Sequence, residues 1–289
     1  MGRGACDDGG VTRVRSTARA LRLARERARF ELWTRRLDAA LRRAGGRLEL
    51  DAPHGAHFYE LPSIEIHPYG PGDGTLTLRL GRDVMLGRGL ILEVWAGARN
   101  IVELGDRATF RAGVRVQLRG GAVRLGDDAR VRDYSLLEAS GGEIALGRCV
   151  QFGAGVCLHA TERVALGDHV TVGERTSMFD SDHRHDGSDA PVVDQPVAVT
   201  PIEIASNTFI GANSIVLRGA RVGANCMFAA ASVVRGGKYP GGFLYAGVPP
   251  RAIRALRPGE PAPEQPEPEP EPQPGPEPEL RARLERGST

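Results

Sequence analysis

Between residues 204 and 234 an aliphatic or aromatic side chain recurs every six positions, at Ile204, Ile210, Val216, Val222, Phe228 and Val234. Two further series keep the same register. Four residues after each apolar position the side chain is small, at Thr208, Ser214, Ala220, Cys226 and Ser232. Directly after it stand Ala205, Gly211, Leu217, Gly223 and Ala229, small except at Leu217. A period of six matches neither the 2 of a strand nor the 3.6 of a helix, and such periods mark a solenoid of short repeats. The physical reading is a chain wound round a triangular prism. Each hexapeptide gives one flat face and a corner, the apolar side chain points inward, and the small residue sits where backbones come close. Three hexapeptides close a coil, and coils stack as parallel strands about 4.8 Å apart.

Upstream the pattern continues with longer coils. Leu-Gly pairs at 80-81, 104-105, 125-126, 146-147 and 166-167 recur at intervals of 24, 21, 21 and 20 residues. The last four share the form L-G-[DR] with an apolar residue three further on, as expected of one coil plus a short bulge. The rest of the chain divides around this repeat. Residues 1-10 are expected to be disordered. Residues 11-46 carry Phe30, Trp33, Leu37, Ala40, Leu41 and Ala44 on one face of a helix that Gly45-Gly46 stops. Residues 47-75 read as a connecting or capping segment, and 76-257 as the β-helix with a loop, 179-201, inserted. From 258 to 289 proline alternates with glutamate and apolar side chains are scarce, which predicts a disordered acidic tail.

Composition adds little to the fold and limits the function. The 38 glycines and 20 prolines suit a turn-rich β architecture, and a formal net charge of +2 does not point to nucleic acid. The charge is uneven, however. The amino-terminal helix is strongly arginine-rich, so it can lie weakly on an anionic membrane surface or, as a cap, pack on the prism or a partner subunit. Cys6, Cys149, Cys157 and Cys226 form no CxxC pair and read as reduced thiols, with the cytoplasm as the default location. The first ten residues lack a signal peptide's apolar run, and no stretch of 18 apolar residues occurs. Lys238 is the only lysine among 38 basic residues.

The repeat, with A-A-S-V-V-R at 230-235 and Y-A-G-V-P-P-R-A-I-R at 245-254, resembles the hexapeptide-repeat acyltransferases. The likeness covers about 76-256 and is greatest to the branch of sugar O-acetyltransferases and xenobiotic acetyltransferases. It implies a left-handed parallel β-helix, an all-β fold, assembled as a homotrimer with acetyl-CoA in the groove between prisms. The departures lie mostly near that groove: Phe209-Ile210-Gly211 for a tryptophan-led triplet, Gly247-Val248-Pro249-Pro250 for a "GNPA" ending, and Gly236-Gly237-Lys238-Tyr239-Pro240 for a "KDVP" connection. Carried over by position, Gly211, Ala212, Ala229 and Ala230 would line the pantetheine arm. Arg235 and Arg251, with Lys238 and Arg254 behind them, would meet the phosphates.

The repeat breaks once. From Phe179 to Pro201 a polar segment leaves the register, and functional residues concentrate on such loops. Its D-H-R-x-D-G string resembles the family's catalytic loop and points to His183 as general base, with His185 as competitor. Transfer from a thioester requires the acceptor hydroxyl to lose its proton as it attacks, which a neutral imidazole accomplishes near pH 7. Asp180 is the favoured carboxylate to hold the tautomer, with Asp182 and Asp186 as alternatives. The implied activity is acyl transfer from CoA to a hydroxyl of a sugar or glycan precursor in polysaccharide biosynthesis, a small alcohol or xenobiotic being the second choice. Two other classes compete: a non-catalytic trimeric scaffold, and a zinc enzyme like the γ-carbonic anhydrases, against which His159 and His169 fail to reproduce the ligand spacing. No metal is expected.

Overall fold

The structure is a computed structural model that describes residues 9-68 and 74-257, with side chains from residue 24 onward. The expected acidic tail and residues 1-8 lie outside the described residues, as do the side chains of Arg13, Arg15, Arg19 and Arg22. Three parallel sheets of nine, ten and eight strands form the faces of a prism; the ten-stranded sheet ends in one antiparallel strand. We call these the first, second and third face. Each coil visits them in that order.

The Leu-Gly pairs explain the first face. Leu80, Leu104, Leu125, Leu146, Leu166, Ile204, Val222 and Tyr239 are cross-strand partners in consecutive coils and form one buried ladder. The glycine after each leucine faces the coil below at close range. A Cβ on Gly126 would stand 2.7 Å from the Gly147 carbonyl carbon, and one on Gly147 would stand 2.6 Å from Asp168 Oδ1. The next residue completes the corner. Backbone N–H groups of Arg82, Asp106 and Arg148 donate to the carboxylates of Asp106, Asp127 and Asp168 in the coil below, each at 2.8 Å. The hexad series fits the same scheme. All six apolar members are buried, and Thr208, Ser214, Ala220, Cys226 and Ser232 are buried as well, because the inner corners leave room only for small side chains.

Two boundaries differ from the sequence reading. Strands Arg47–Asp51, His57–Phe58 and Ser63–His67 pair in parallel with the following coil, so 47-75 contains the first coil of the solenoid and not a separate connector. Its Leu48 and Leu50 are incompletely buried, and its turns break the six-residue count, which hides the coil from periodicity. The helix, α1, spans Gly9–Arg43 and closes that end of the prism. Phe30, Trp33, Leu37 and Leu41 are buried, the Trp33 indole donates to Pro62 O at 3.2 Å, and Phe30 and Phe58 stack with ring centroids 6.0 Å apart. Ala40 and Ala44 are only half-buried. The apolar face proposed for a membrane surface is thus spent on the first coil. Among the described residues no helix is long and apolar enough to cross a membrane. At the other end the hairpin Phe243–Gly247 and Pro250–Ala255 closes the prism, its Tyr245 packed on Phe228 and Tyr239.

Candidate active site

The polar insertion leaves the prism at the corner between the third and first faces. Ser177–Phe179 is a third-face strand, and Ile202–Ile204 resumes on the first face. Between them Ser181–His183 and Val197–Val199 pair antiparallel, so the insertion is a hairpin arm with a single 3-10 turn at Val192–Asp194. His183 lies opposite Val197 at the outer end of the paired segment and is exposed. Among the described residues no side chain or backbone group is hydrogen-bonded to its ring.

The base of the arm is fastened to coils on both sides. Alternation along Met178, Phe179 and Asp180 turns Asp180 inward, and it is fully buried. Its carboxylate accepts N–H bonds from Thr161 at 2.8 Å and from Glu162 and Arg163 at 2.7 Å each, the corner of the preceding coil. Three backbone donors thus converge on one carboxylate. Arg218, in the following coil, brings Nε to 2.8 Å from Asp182 Oδ1. That pair is an ion pair by distance; the N–H is not aimed for a hydrogen bond. Thr161 Oγ1 and Ser181 Oγ lie 3.0 Å apart, and Thr200 N–H donates to Asp180 O at 2.9 Å.

This geometry corrects the role given to Asp180. Its carboxylate serves the 161-163 corner, and among the described residues no hydrogen bond joins it to the His183 ring, which makes it a residue that fastens the arm. The alternatives are also engaged. Asp182 faces Arg218, and Asp186 accepts from Ser188 N–H at 2.9 Å, hydrogen bonds that hold its carboxyl below the usual aspartate range. His185 turns Nδ1 back to Gly187 N–H at 3.0 Å, a local turn. Gln195, nearly buried, braces the arm's tip by accepting from Asp186 N–H and donating to Ala190 O, each at 2.8 Å. Sequence reading missed Gln195 and Arg218, which carry no motif.

The residues expected at the CoA arm do come together. Gly211 and Ala212 stack on Ala229 and Ala230 at the corner between the second and third faces; a Cβ on Gly211 would meet Ala230 N at 2.4 Å. Coil stacking alone therefore requires Gly211. Arg235 is exposed just beyond the third-face strand Val233–Val234, and Arg251 is exposed on the closing hairpin. A different feature is the open groove of about 790 Å³ on the first face, floored by Ala145 and Ala165 and edged by Arg163, Glu203, Arg221 and Lys238. His159, on the third face, stands 3.8 Å from Glu138, and His169 holds a left-handed corner with φ of 60°. Among the described residues no three His, Cys, Asp or Glu side chains gather as a metal ion would require.

A parallel β-helix of stacked three-faced coils, interrupted by one histidine-bearing arm, is the architecture of the hexapeptide-repeat class that the sequence resembles. No family model matches the chain. A curated relative, "Probable acetyltransferase" of Mycobacterium tuberculosis, is 27% identical over 132 residues, 46% of this chain and 44% of the relative. The chain thus matches less than half of that relative's length. Similar solved structures include the polySia-specific acetyltransferase NeuO, with a TM-score of 0.43 and 16% identity over 73% of this chain and 81% of NeuO. A maltose O-acetyltransferase from Clostridium difficile 630 has a TM-score of 0.34 and 16% identity, covering 61% of this chain and 68% of that one.

Proposed function

We propose that this chain is an acyl-CoA-dependent O-acyltransferase that moves an acetyl group to a hydroxyl of a sugar or glycan precursor, with His183 as general base. The observation that carries the proposal is the arm: a regular solenoid is broken once to hold an exposed, unpartnered imidazole on a base fastened from both sides. The curated acetyltransferase relative supports the same chemistry. In the reaction the acceptor oxygen bonds to the thioester carbon while its proton passes to the imidazole. The carbon–sulfur bond then breaks, and the proton leaves with the thiolate as CoA thiol. No enzyme-bound acyl intermediate is needed. The Gly211, Ala212, Ala229 and Ala230 corner is the proposed track of the pantetheine arm, with Arg235 and Arg251 toward the phosphates.

A homotrimer in the cytoplasm completes the reading. Among the described residues the ring of His183 has no hydrogen-bond partner, and an imidazole in catalysis needs an acceptor on its second nitrogen to fix the tautomer. A neighbouring copy is the source we assign. Phe209 and Met227, paired in register on the second face, and Ile215 on the third are exposed apolar side chains around the Gly211 corner, the kind of patch that a second subunit covers. Acceptor-dependent release of CoA thiol from acetyl-CoA tests the activity. Loss of about 10²-fold or more in His183→Ala, the size of a general-base contribution, is expected. An unchanged rate in that variant, or no CoA binding by the wild type, would refute the assignment.

A further inference from the structure

The outward residue just before each ladder residue of the first face forms its own column. Cross-strand register places Arg79, Glu103, Arg124, Ala145, Ala165, Glu203, Arg221 and Lys238 one above the other in consecutive coils. Six of these eight positions are charged. The upper part forms a charge ladder, since Arg124 bridges Glu103, Nε to Oε2 at 2.8 Å, and Glu143. Two successive alanines then interrupt it and open the groove, whose volume suits a small molecule. Below the notch Arg221 and Lys238 edge it with one carboxylate, Glu203, while Arg163, in the same strand as Ala165, also faces Glu143 at 3.7 Å. Among the described residues Lys238 has no ion-pair partner, and it is exposed.

The groove is also where both ends of the arm attach. Arg163, on its wall, is one of the three residues whose N–H groups hold Asp180. Glu203, on its floor column, lies in the strand that receives the returning chain. His183 stands three residues out from Asp180, about 10 Å along an extended strand. We propose that this groove is the acceptor site and that it takes an anionic sugar, one carrying a phosphate or a carboxylate. The anion lies against Arg163, Arg221 and Lys238, and Glu203 accepts hydrogen bonds from hydroxyls. Charge-assisted bonds of this kind are stronger than neutral ones and orient the ligand. The inference rests on the acyltransferase reading for the word acceptor, and on the groove alone for the ligand class.

The sole lysine gives a direct probe on the full-length chain. Modification of Lys238 by an amine-reactive reagent, followed by peptide mass spectrometry, is measured with glucose, glucose 6-phosphate, glucuronate, inorganic phosphate and CoA. Isothermal titration gives the corresponding Kd for the wild type, Lys238→Glu and Ala165→Phe, with melting temperature as the folding control. Expected is protection by glucose 6-phosphate or glucuronate and not by glucose. Lys238→Glu then weakens the protecting sugar by about tenfold, the loss of one charged hydrogen bond; because the proposal assigns Lys238 to the acceptor and not to the CoA phosphates that the resemblance implied for it, the Kd of CoA stays unchanged. Ala165→Phe fills the floor; Lys238→Glu, at an exposed position, decides the matter if that variant does not fold. Protection by the phosphate sugar alone or by the carboxylate sugar alone tells which anion is used, and either supports the site. Protection by CoA with a weakened CoA Kd in Lys238→Glu would assign the groove to the donor and overturn the proposal. Equal protection by inorganic phosphate, or none by any sugar, overturns it as well. If the wild type protects with an anionic sugar but neither binds CoA nor releases thiol, the enzyme reading fails and the sugar site stands.

Discussion

Asp180 and His183 are three residues apart in sequence, Asp180 at the bend between Ser177–Phe179 and Ser181–His183, and they belong to different parts of the molecule. Asp180 is still in the stack: buried, inward-facing, with its oxygens committed to three N–H groups of the coil before it. His183 is in the arm: exposed, with nothing among the described residues hydrogen-bonded to its ring. The coils choose residues by what fits the stack, so their side chains are determined by neighbours one coil away. The arm leaves its residues free for chemistry. A substitution should therefore have separable effects on the two sides of this short stretch, on melting in the coils and on turnover in the arm.

The largest effect on that contrast is expected in the coils. Leu146→Ala removes a fully packed rung from the first-face ladder, between Leu125 and Leu166, and should cost about 2-5 kcal/mol. Its denaturant midpoint should fall, while thiol release per folded molecule remains that of the wild type. His183→Ala should do the reverse, with turnover down about 10²-fold and midpoint unmoved, since an exposed side chain adds little to stability. A midpoint shift in His183→Ala comparable to that of Leu146→Ala would erase the distinction.

Asp180→Asn sharpens the comparison because it sits on the border. The amide keeps the size of the carboxylate, loses its charge and turns an N–H₂ toward backbone donors, leaving at least one of them unsatisfied. The expected cost is about 1-3 kcal/mol in stability. Turnover should fall through a looser arm: the KM for the acceptor should rise more than kcat falls. A collapse of kcat with an unchanged midpoint would instead make Asp180 a direct partner of His183, against the hydrogen bonds observed.

How much of this was legible depended on which neighbours a residue has. The hexads from Ile204 to Val234 and the Leu-Gly pairs are dictated by coils directly above and below, and their period in the chain is the period of the stack. The first coil escaped because one side meets α1 in place of another coil: Phe58 packs on Phe30 and Trp33 of the helix, and the turns around Pro53 and Gly55 break the count. The arm was legible as a gap in register, and the direction of Asp180 was available too. Ala139 and Ala160, cross-strand partners and fully buried, occupy the inward column one step before it, so strand alternation turns Asp180 the same way. The groove had its signal in the residue before each ladder leucine, where Arg79, Glu103 and Arg124 give way to Ala145 and Ala165. What no pattern supplied was the pairing of Arg218 with Asp182 and the bracing by Gln195, because these contacts join segments whose spacing the arm alone sets.

The smallest expected effect concerns the outer corners, where the stack meets water. Asp106 and Asp128 are held below the usual aspartate value of 3.8 first by hydrogen bonds from Arg82 and Arg107, and Asp168 first by the Arg148 backbone N–H and then by its guanidinium. In the unfolded chain these carboxyls take up protons at higher pH than in the folded one. Their contribution is therefore complete above about pH 4-5, shrinks below 3.8, and is lost as pH falls through the folded values. The melting temperature should fall between pH 5 and pH 2, and part of that fall should vanish in high salt, since these pairs are solvent-exposed and screened. Arg148→Ala should reduce the acid sensitivity without abolishing it: the backbone N–H of residue 148 still donates to Asp168, so the hold that the coil itself supplies survives loss of the side chain. If Arg148→Ala removed the acid dependence of the corner altogether, the ion pair and not the stacked backbone would be what fixes the L-G-[DR] signature.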